Sequence, residues 1–318
     1  MPTIQKFYHY VPLMDKTGKL MDKTGKLRFD WLQASLGQKI YLSPVAEFND
    51  QKEGYFYFVV NPDDVLNIPE LFYYNLDYFK KNGEPGLTEE DLRSRLKSDE
   101  FRTAVQNEQQ KSIQPFFKGY GVFCLTEDCN SIRMWNEYAG NQLGYCLVFE
   151  LNLSDIYETF FKNRGWSQSE FDAYTKAVFH NGSEIFSFVP NDNSNISIVL
   201  AKVSYKSDFS RLDVKKISAV SSRYEINKYV VQNSIGVKRK EFEHEREHRL
   251  IVNLNSHDGE LMDLRGYFPY LKVTGLILGP CMAESEKNEI YKLCMGLKEK
   301  ILLYEARQTE SDVMTSLL

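Results

Sequence analysis

The residues best suited to chemistry lie in one stretch, Phe242 to Val252, which contains two of the five histidines and three glutamates. Histidine and glutamate are the side chains that most often transfer protons or bind metal ions in enzymes. Three interpretations fit the pattern: a zinc-binding His-Glu-x-x-His, a catalytic Glu-x-Glu on a strand, and an ordinary amphipathic strand.

The zinc interpretation requires His244 and His248 to lie four residues apart on one helix face, with Glu245 as the general base of a peptidase. Two features oppose it. Arg246 and Glu247 place charges inside the motif, and the apolar run that follows is typical of a strand. In a strand the two imidazoles would lie about 13 Å apart, too far to share one ion. We therefore expect no metal.

The Glu-x-Glu interpretation places Glu245 and Glu247 on one face of a strand, because side chains alternate along a strand. Carboxylates in that position can stabilise positive charge that develops on a sugar ring during glycosyl transfer. In the amphipathic-strand interpretation the same charges only cover a solvent-facing surface.

Composition and charge narrow the classes of protein. The chain has 318 residues, enough for one large domain or two smaller ones, and 42% are hydrophobic, as in ordinary globular proteins. The net charge of −5 provides no global field that attracts nucleic acid, but Lys206 to Lys240 is richer in Lys and Arg than its surroundings and leaves open a local basic strip. A nucleic-acid partner stays open but is not favoured.

The cysteines and the N-terminus predict a cytoplasmic protein. Five scattered cysteines without a Cys-x-x-Cys pair favour a reducing compartment and argue against a disulfide framework and a thiolate zinc site. No apolar signal segment follows Met1, and the longest apolar runs, such as Val273 to Leu278, are too short to span a bilayer. We expect no membrane association. The sequence leaves the oligomeric state open.

A strand, a short helix and a second strand form the best-defined local unit, at Gly121 to Thr126, Ser131 to Ala139 and Gly144 to Glu150. In the helix, Trp135 and Tyr138 are three residues apart and therefore share a face. A second unit of this kind, between residues 273 and 306, should be right-handed and parallel if its strands share a sheet.

The remaining pattern predicts a single α+β domain over residues 1–318, with a mixed β-sheet core of about six to eight strands. A helical insertion is expected around residues 62–111, including a charged helix that starts at Thr88 with a capping box and runs to about Lys111. A long helix is predicted for Asp213 to Asn233. Asn181 to Asn195 is expected to be a surface loop, and so is the tandem heptapeptide repeat at residues 14–27.

Four short motifs also occur in order along nearly the whole chain. They are Tyr8-His9-Tyr10; Ser43-Pro44 with Phe48-Asn49-Asp50 and Glu53-Gly54; Phe123-Cys124-Leu125-Thr126 with Met134-Trp135-x-x-Tyr138-Ala139 and Gly144-x-Cys146; and Lys238-x-x-x-Phe242-x-x-Glu245-x-Glu247-x-Arg249-Leu250-Ile251. This order resembles an uncharacterised bacterial family, the domain of unknown function 2971. The chain departs from it at His9, where the family usually has Lys or Arg, and at Phe242, where it usually has Trp. The family name implies no activity.

The motif order is also similar to that of ADP-ribosyltransferase-like enzymes. Such enzymes hold the ribose of NAD with a His or Arg on the first strand, place a hydroxyl residue or Tyr on the second, and carry a Glu-x-Glu on a later strand. His9, Ser43 and the pair Glu245 and Glu247 occur here in that order.

The resemblance implies an α+β, ADP-ribosyltransferase-like enzyme that takes NAD as a substrate and acts on a macromolecular acceptor, as a bacterial toxin or phage-defence effector. The implied catalytic residues are Glu247 and Glu245, and the implied NAD-binding residues are His9, Tyr10, Ser43, Trp135, Tyr138 and Arg249. The alternative is a non-catalytic binding or regulatory module, in which Met134, Trp135 and Tyr138 line an aromatic cleft.

Overall fold

The computed structural model describes residues 4–13, 30–45, 57–59, 66–67, 69–104, 120–188, 197–207, 211–213, 223–253, 261–309 and 312–318. The tandem repeat at 14–27 and the Phe48-Asn49-Asp50 motif lie outside these residues. The chain divides into two compact units. The first comprises Met1–Ser43, Gly121–Val203 and Glu241–Leu318, and the second comprises Pro44–Tyr120 and Ser204–Lys240.

The first unit is built around a ten-stranded mixed sheet, which confirms the predicted α+β class. Its strand order is β16-β15-β14-β6-β1-β5-β12-β8-β7, with β3 paired to β5. The strands of the described residues are β1 (Ile4–Val11), β2 (Lys39–Tyr41), β3 (Ser43–Pro44), β4 (Tyr57–Val59), β5 (Tyr120–Thr126), β6 (Tyr145–Asn152), β7 (Phe186–Phe188), β8 (Ser197–Lys202), β9 (Ser204–Lys206), β10 (Arg211–Asp213), β11 (Val237–Arg239), β12 (Glu247–Asn253), β13 (Leu261–Asp263), β14 (Leu271–Leu278), β15 (Leu302–Gln308) and β16 (Val313–Leu317).

The α-helices are short and mostly begin at side-chain caps. They are α1 (Asp30–Leu36), α2 (Pro69–Lys81), α3 (Glu89–Arg95), α4 (Ile132–Tyr138), α5 (Leu153–Ile156), α6 (Gln168–Lys176), α7 (Arg223–Asn233), α8 (Leu264–Tyr267) and α9 (Glu284–Met295). For example, the Ser131 hydroxyl accepts a hydrogen bond from the backbone N–H of Met134 and so starts α4 at the predicted position. Among the residues that the structure describes, no helix is both long and apolar enough to cross a membrane.

Side chains of β1 alternate between two apolar cores, one on each face of the large sheet. Phe7 lies in the larger core, together with Phe123 and Leu250. Tyr10 lies in the core on the other face, where α4 packs and Trp135 is fully buried. Truncation of such a buried tryptophan to alanine costs about 3–5 kcal/mol, so this packing fixes the position of α4 on the sheet.

The strand-helix-strand unit near the C-terminal end of the described chain is confirmed as parallel. Strands β14 and β15 pair in parallel, with Gly275 opposite Leu302, and α9 connects them. The predicted number of strands was too low because very short strands carry little periodicity. Phe186–Phe188, for instance, lies inside the predicted surface loop but pairs with β8 and buries both phenylalanines.

The second unit contains two small parallel pairs, β4 with β10 and β9 with β11. The capping box at Thr88 is confirmed, since its hydroxyl accepts from the N–H of Asp91 and the Asp91 carboxylate accepts from the N–H of Thr88. Two predicted helix bounds are wrong. Helix α3 ends at Arg95 and a separate helical segment covers residues 99–104, so the charged segment is not one continuous helix, and residues 105–111 lie outside the described residues. Asp213 ends a strand and α7 covers Arg223–Asn233, while residues 214–222 lie outside the described residues.

Candidate functional site

The predicted Glu-x-Glu strand is interrupted between its two glutamates. Lys240–Glu245 forms a 3-10 helix, and β12 begins at Glu247. Arg246, between them, has a left-handed backbone with φ of 46°. The prediction that Glu245 and Glu247 share one strand face is therefore wrong, because the left-handed residue redirects the chain between them.

Glu245 is held at the junction of three elements. Its side chain is 3% exposed, and its Oε1 accepts a hydrogen bond of 2.6 Å from the hydroxyl of Tyr138 in α4. Its backbone carbonyl accepts a second bond of 2.6 Å from Oγ1 of Thr126, at the end of β5. The helical spacing explains the first contact: Trp135 anchors α4 in the core and Tyr138 lies three residues further along the same face.

A polar network of α4 adjoins this carboxylate. Arg133 Nε donates to Glu137 Oε1 over 2.7 Å, and the other oxygen of Glu137 lies 3.4 Å from His244 Nε2. His244 Nδ1 donates to the carbonyl oxygen of Glu241 over 3.2 Å. Partial burial opposes the charge on Glu137, but the hydrogen bond from Arg133, together with the neighbouring His244, outweighs it and lowers the pKa of this carboxyl group.

Glu247 and Arg249 form a buried ion pair on one face of β12. Their exposed fractions are 3% and 1%. Arg249 Nε donates to Glu247 Oε1 over 2.7 Å, and a terminal guanidinium nitrogen lies 3.3 Å from Oε2. Both carboxylate oxygens thus face the guanidinium, an arrangement that neutralises the charge within the strand.

His248 lies on the opposite face of β12 and is fully buried. Its ring is 5.0 Å from that of Phe7, and its Nε2 donates to the carbonyl oxygen of Phe179 over 3.3 Å. Burial, followed by the charge of Lys202, lowers its pKa to about 3. His248 and His244 contact different elements, so the geometry does not unite the two histidines of the His-Glu-x-x-His.

His9 shares the face of Phe7 and His248, and the structure does not bring it to either glutamate. Its Nδ1 donates to the carbonyl oxygen of Cys124 over 2.7 Å, and its ring contacts that of Phe123 in a tilted arrangement with the centroids 4.3 Å apart. Burial lowers its pKa to about 4. Side chains alternate along β12, so Glu247 points to the face opposite His248 and His9.

The other residues predicted to bind NAD do not form one group: two are buried in the core, one lies in β3, and two contact the glutamates. Trp135 is fully buried, with its Nε1 donating to the Cys129 carbonyl oxygen over 2.9 Å, so it packs the core. The hydroxyl of Tyr10, also buried, donates to the Asp128 carbonyl oxygen over 3.0 Å. Ser43 is half-buried in β3, which pairs with β5. Of the predicted set, Tyr138 adjoins Glu245, and Arg249 adjoins Glu247.

Sequence reasoning missed Thr126, Glu137 and Arg133 as members of this site. A local signal exists for the last two, because Arg133 and Glu137 are four residues apart on a predicted helix and Glu137 directly precedes Tyr138. Thr126 had no such signal, since its partner Glu245 lies 119 residues away in the chain.

Comparison with known protein families finds one match, and it covers most of the residues of this site. The sequence model of a family described as protein of unknown function, DUF2971, matches residues 134–250. The chain resembles DUF2971. The predicted resemblance to that family is confirmed, and the match includes Tyr138, Glu245 and Glu247 but not His9. No curated protein and no solved structure matches the chain.

Proposed function

We propose that this DUF2971-like chain is an ADP-ribosyltransferase-like enzyme that uses NAD and transfers ADP-ribose to a macromolecule, with Glu245 as the reactive carboxylate. The observation that carries the proposal is the position of Glu245. It is 3% exposed, is oriented by the hydroxyl of Tyr138 at 2.6 Å, and adjoins the half-exposed polar network of α4.

The chemistry requires a negative charge beside a ribose. Nicotinamide departs with the electron pair of the glycosidic C–N bond, which leaves an oxocarbenium-like ribose. The acceptor then forms the new bond to that carbon and gives up a proton. A carboxylate that is already oriented in a site of low dielectric constant stabilises the developing positive charge without reorganisation. Glu245 supplies the carboxylate, and Tyr138 supplies the orientation.

The geometry supports different roles for the two glutamates. Both oxygens of Glu247 face Arg249, so we assign Glu247 to the stability of β12 and to the positioning of the segment before it. His9 has no part in this proposal, because it lies on the other sheet face. The alternatives have less support. Trp135 packs in an apolar core with its Nε1 bonded to the Cys129 carbonyl oxygen, and the two histidines of the peptidase motif contact different elements.

The test is release of nicotinamide from NAD by the purified chain, together with transfer of labelled ADP-ribose to macromolecules of a bacterial lysate. We expect Glu245→Gln to lower the rate of release at least about 100-fold, the usual effect of losing one preorganised electrostatic contact in a transition state. Tyr138→Phe, which removes only the orienting hydroxyl, should lower it about tenfold.

The matched control is Glu243→Gln, which removes an exposed glutamate from the same 3-10 helix. It should leave the rate unchanged. The proposal fails if the wild-type chain releases no nicotinamide, or if Glu245→Gln and Glu243→Gln release it equally fast.

A further inference from the structure

Glu137, His244 and Glu245 bring three potential metal ligands close together, from α4 and from the 3-10 helix. One ligand atom from each residue lies within 4.8 Å of the others. The distance between Glu137 Oε2 and His244 Nε2 is 3.4 Å. That is long for an N–H···O hydrogen bond, but it equals the separation of two ligands on a tetrahedral ion with bonds of about 2.0–2.1 Å.

Each of the three side chains also has a hydrogen-bond partner that orients it. Arg133 donates to Glu137 Oε1, Tyr138 donates to Glu245 Oε1, and His244 Nδ1 donates to the carbonyl oxygen of Glu241. Outer partners of this kind orient the ligands of metal sites in proteins. For His244 the contact has a further consequence. A carbonyl oxygen can only accept, so Nδ1 carries the hydrogen and Nε2 is the nitrogen that can present a lone pair.

The charge and the exposure of the group suit a divalent cation. The two carboxylates carry two negative charges, and Arg133 offsets only one of them. The side chains of Glu137 and His244 are 39% and 20% exposed, so an ion can enter from solvent, whereas Glu245 is buried. We propose that Glu137, His244 and Glu245 form a zinc-type metal site with three protein ligands and a fourth position for water.

This site uses only the first histidine of the His-Glu-x-x-His, and it departs from the expectation, based on sequence, that no metal is present. It does not rest on the proposed function. A cation coordinated by Glu245 withdraws the negative charge that the transfer reaction needs, so bound zinc should lower nicotinamide release rather than support it.

The experiment is equilibrium dialysis of the full chain against zinc chloride after removal of metals with a chelator, with zinc counted by elemental analysis. We expect about one zinc per wild-type chain, as a single site of this kind requires. Glu137→Gln and His244→Ala should each weaken binding at least about tenfold, because each removes one of three ligands. The control is His180→Ala, which removes an exposed histidine outside the cluster and should bind zinc like the wild type.

Two outcomes would overturn the inference. One is a wild-type chain that retains no zinc. The other is zinc retained equally by the wild type, His244→Ala and Glu137→Gln, which would assign it to other groups such as the exposed Cys281 thiol. Circular dichroism of each variant establishes that it is folded, and Glu137→Gln decides the question if His244→Ala is not.

Discussion

The segment from Glu243 to Arg249 contains two halves of nearly the same composition and of opposite character. Before Arg246, His244 and Glu245 belong to a 3-10 helix and contact side chains of α4 that are partly open to solvent. After Arg246, the next three residues form the start of a strand and are almost fully buried. The two halves are separated by one residue with a left-handed backbone.

The two halves differ in the charge of the group that hydrogen-bonds each glutamate, and this difference distinguishes a reactive carboxylate from a structural one. The guanidinium of Arg249 faces both oxygens of Glu247, whereas the hydroxyl that orients Glu245 is neutral. In a buried ion pair the two charges neutralise each other, so the carboxylate has little negative charge left for catalysis. Removing one partner nevertheless costs much stability, because the other charge then stays buried alone. A carboxylate oriented by a neutral donor retains negative charge that can act on a ligand.

The largest expected effect on stability comes from breaking the pair in the second half. Arg249→Met leaves the Glu247 carboxylate buried without its guanidinium and should lower the free energy of unfolding by about 3–5 kcal/mol. Denaturant titration followed by circular dichroism measures it. Arg307→Met is the control, because that arginine is 76% exposed beside Glu305, and it should change stability by less than about 0.5 kcal/mol. Equal effects of the two substitutions would refute a structural role for the pair.

His248 should make stability depend on pH. In the folded chain its pKa is about 3, against 6.5 for an ordinary histidine, so between these values the unfolded state binds the additional proton. Stability should therefore fall as the pH falls from about 6.5 towards 3. His248→Gln should reduce that slope by about 1.4 kcal/mol per pH unit.

The control for this prediction is His180→Gln, which replaces an exposed histidine and should leave the slope as it is. Unfolding free energies at several pH values between 6 and 4 provide the measurement. A slope in His248→Gln as steep as in the wild type would show that the buried imidazole is not kept neutral. His9, whose pKa burial lowers to about 4, should contribute a similar slope of its own.

The smallest effect concerns the residue between the halves. A β-branched side chain is strongly disfavoured at positive φ, so Arg246→Val should lower the free energy of unfolding by about 1–2 kcal/mol. Arg246→Gly loses the same guanidinium but tolerates the backbone, and its stability should stay within about 1 kcal/mol of the wild type. If valine and glycine are tolerated equally, Arg246 does not need the left-handed conformation in solution.

Local signals explain what the sequence predicted correctly. The cap at Ser131 and the spacing of Trp135 and Tyr138 predict α4, because helix starts and helical faces depend on residues three or four apart. The parallel unit of β14 and β15 also follows from a local order of strand, helix and strand. Alternation along β1 also explains why His9 lies on the face opposite Tyr8 and Tyr10.

The site itself depends on contacts that are distant in sequence. Nothing near Glu245 indicates Tyr138 or Glu137, which lie about a hundred residues earlier. Alternation predicts that neighbouring side chains of β1 lie on opposite faces of the sheet. It does not predict whether Glu247 of β12 lies on the same face as His9 of β1. The left-handed residue was also hidden, because it is an arginine rather than the glycine that usually marks such a turn.

The most direct test of the contrast between a reactive Glu245 and a structural Glu247 is the rate of nicotinamide release by Glu245→Gln and by Glu247→Gln. Each rate is divided by the amount of folded protein in the same sample. Substitution of Glu245 should lower the rate at least about 100-fold while the chain stays folded. Substitution of Glu247 should reduce the folded fraction, yet leave the rate of each folded molecule within about tenfold of the wild type. A folded Glu247→Gln protein that loses more activity than Glu245→Gln would contradict the assignment of Glu245 as the reactive carboxylate.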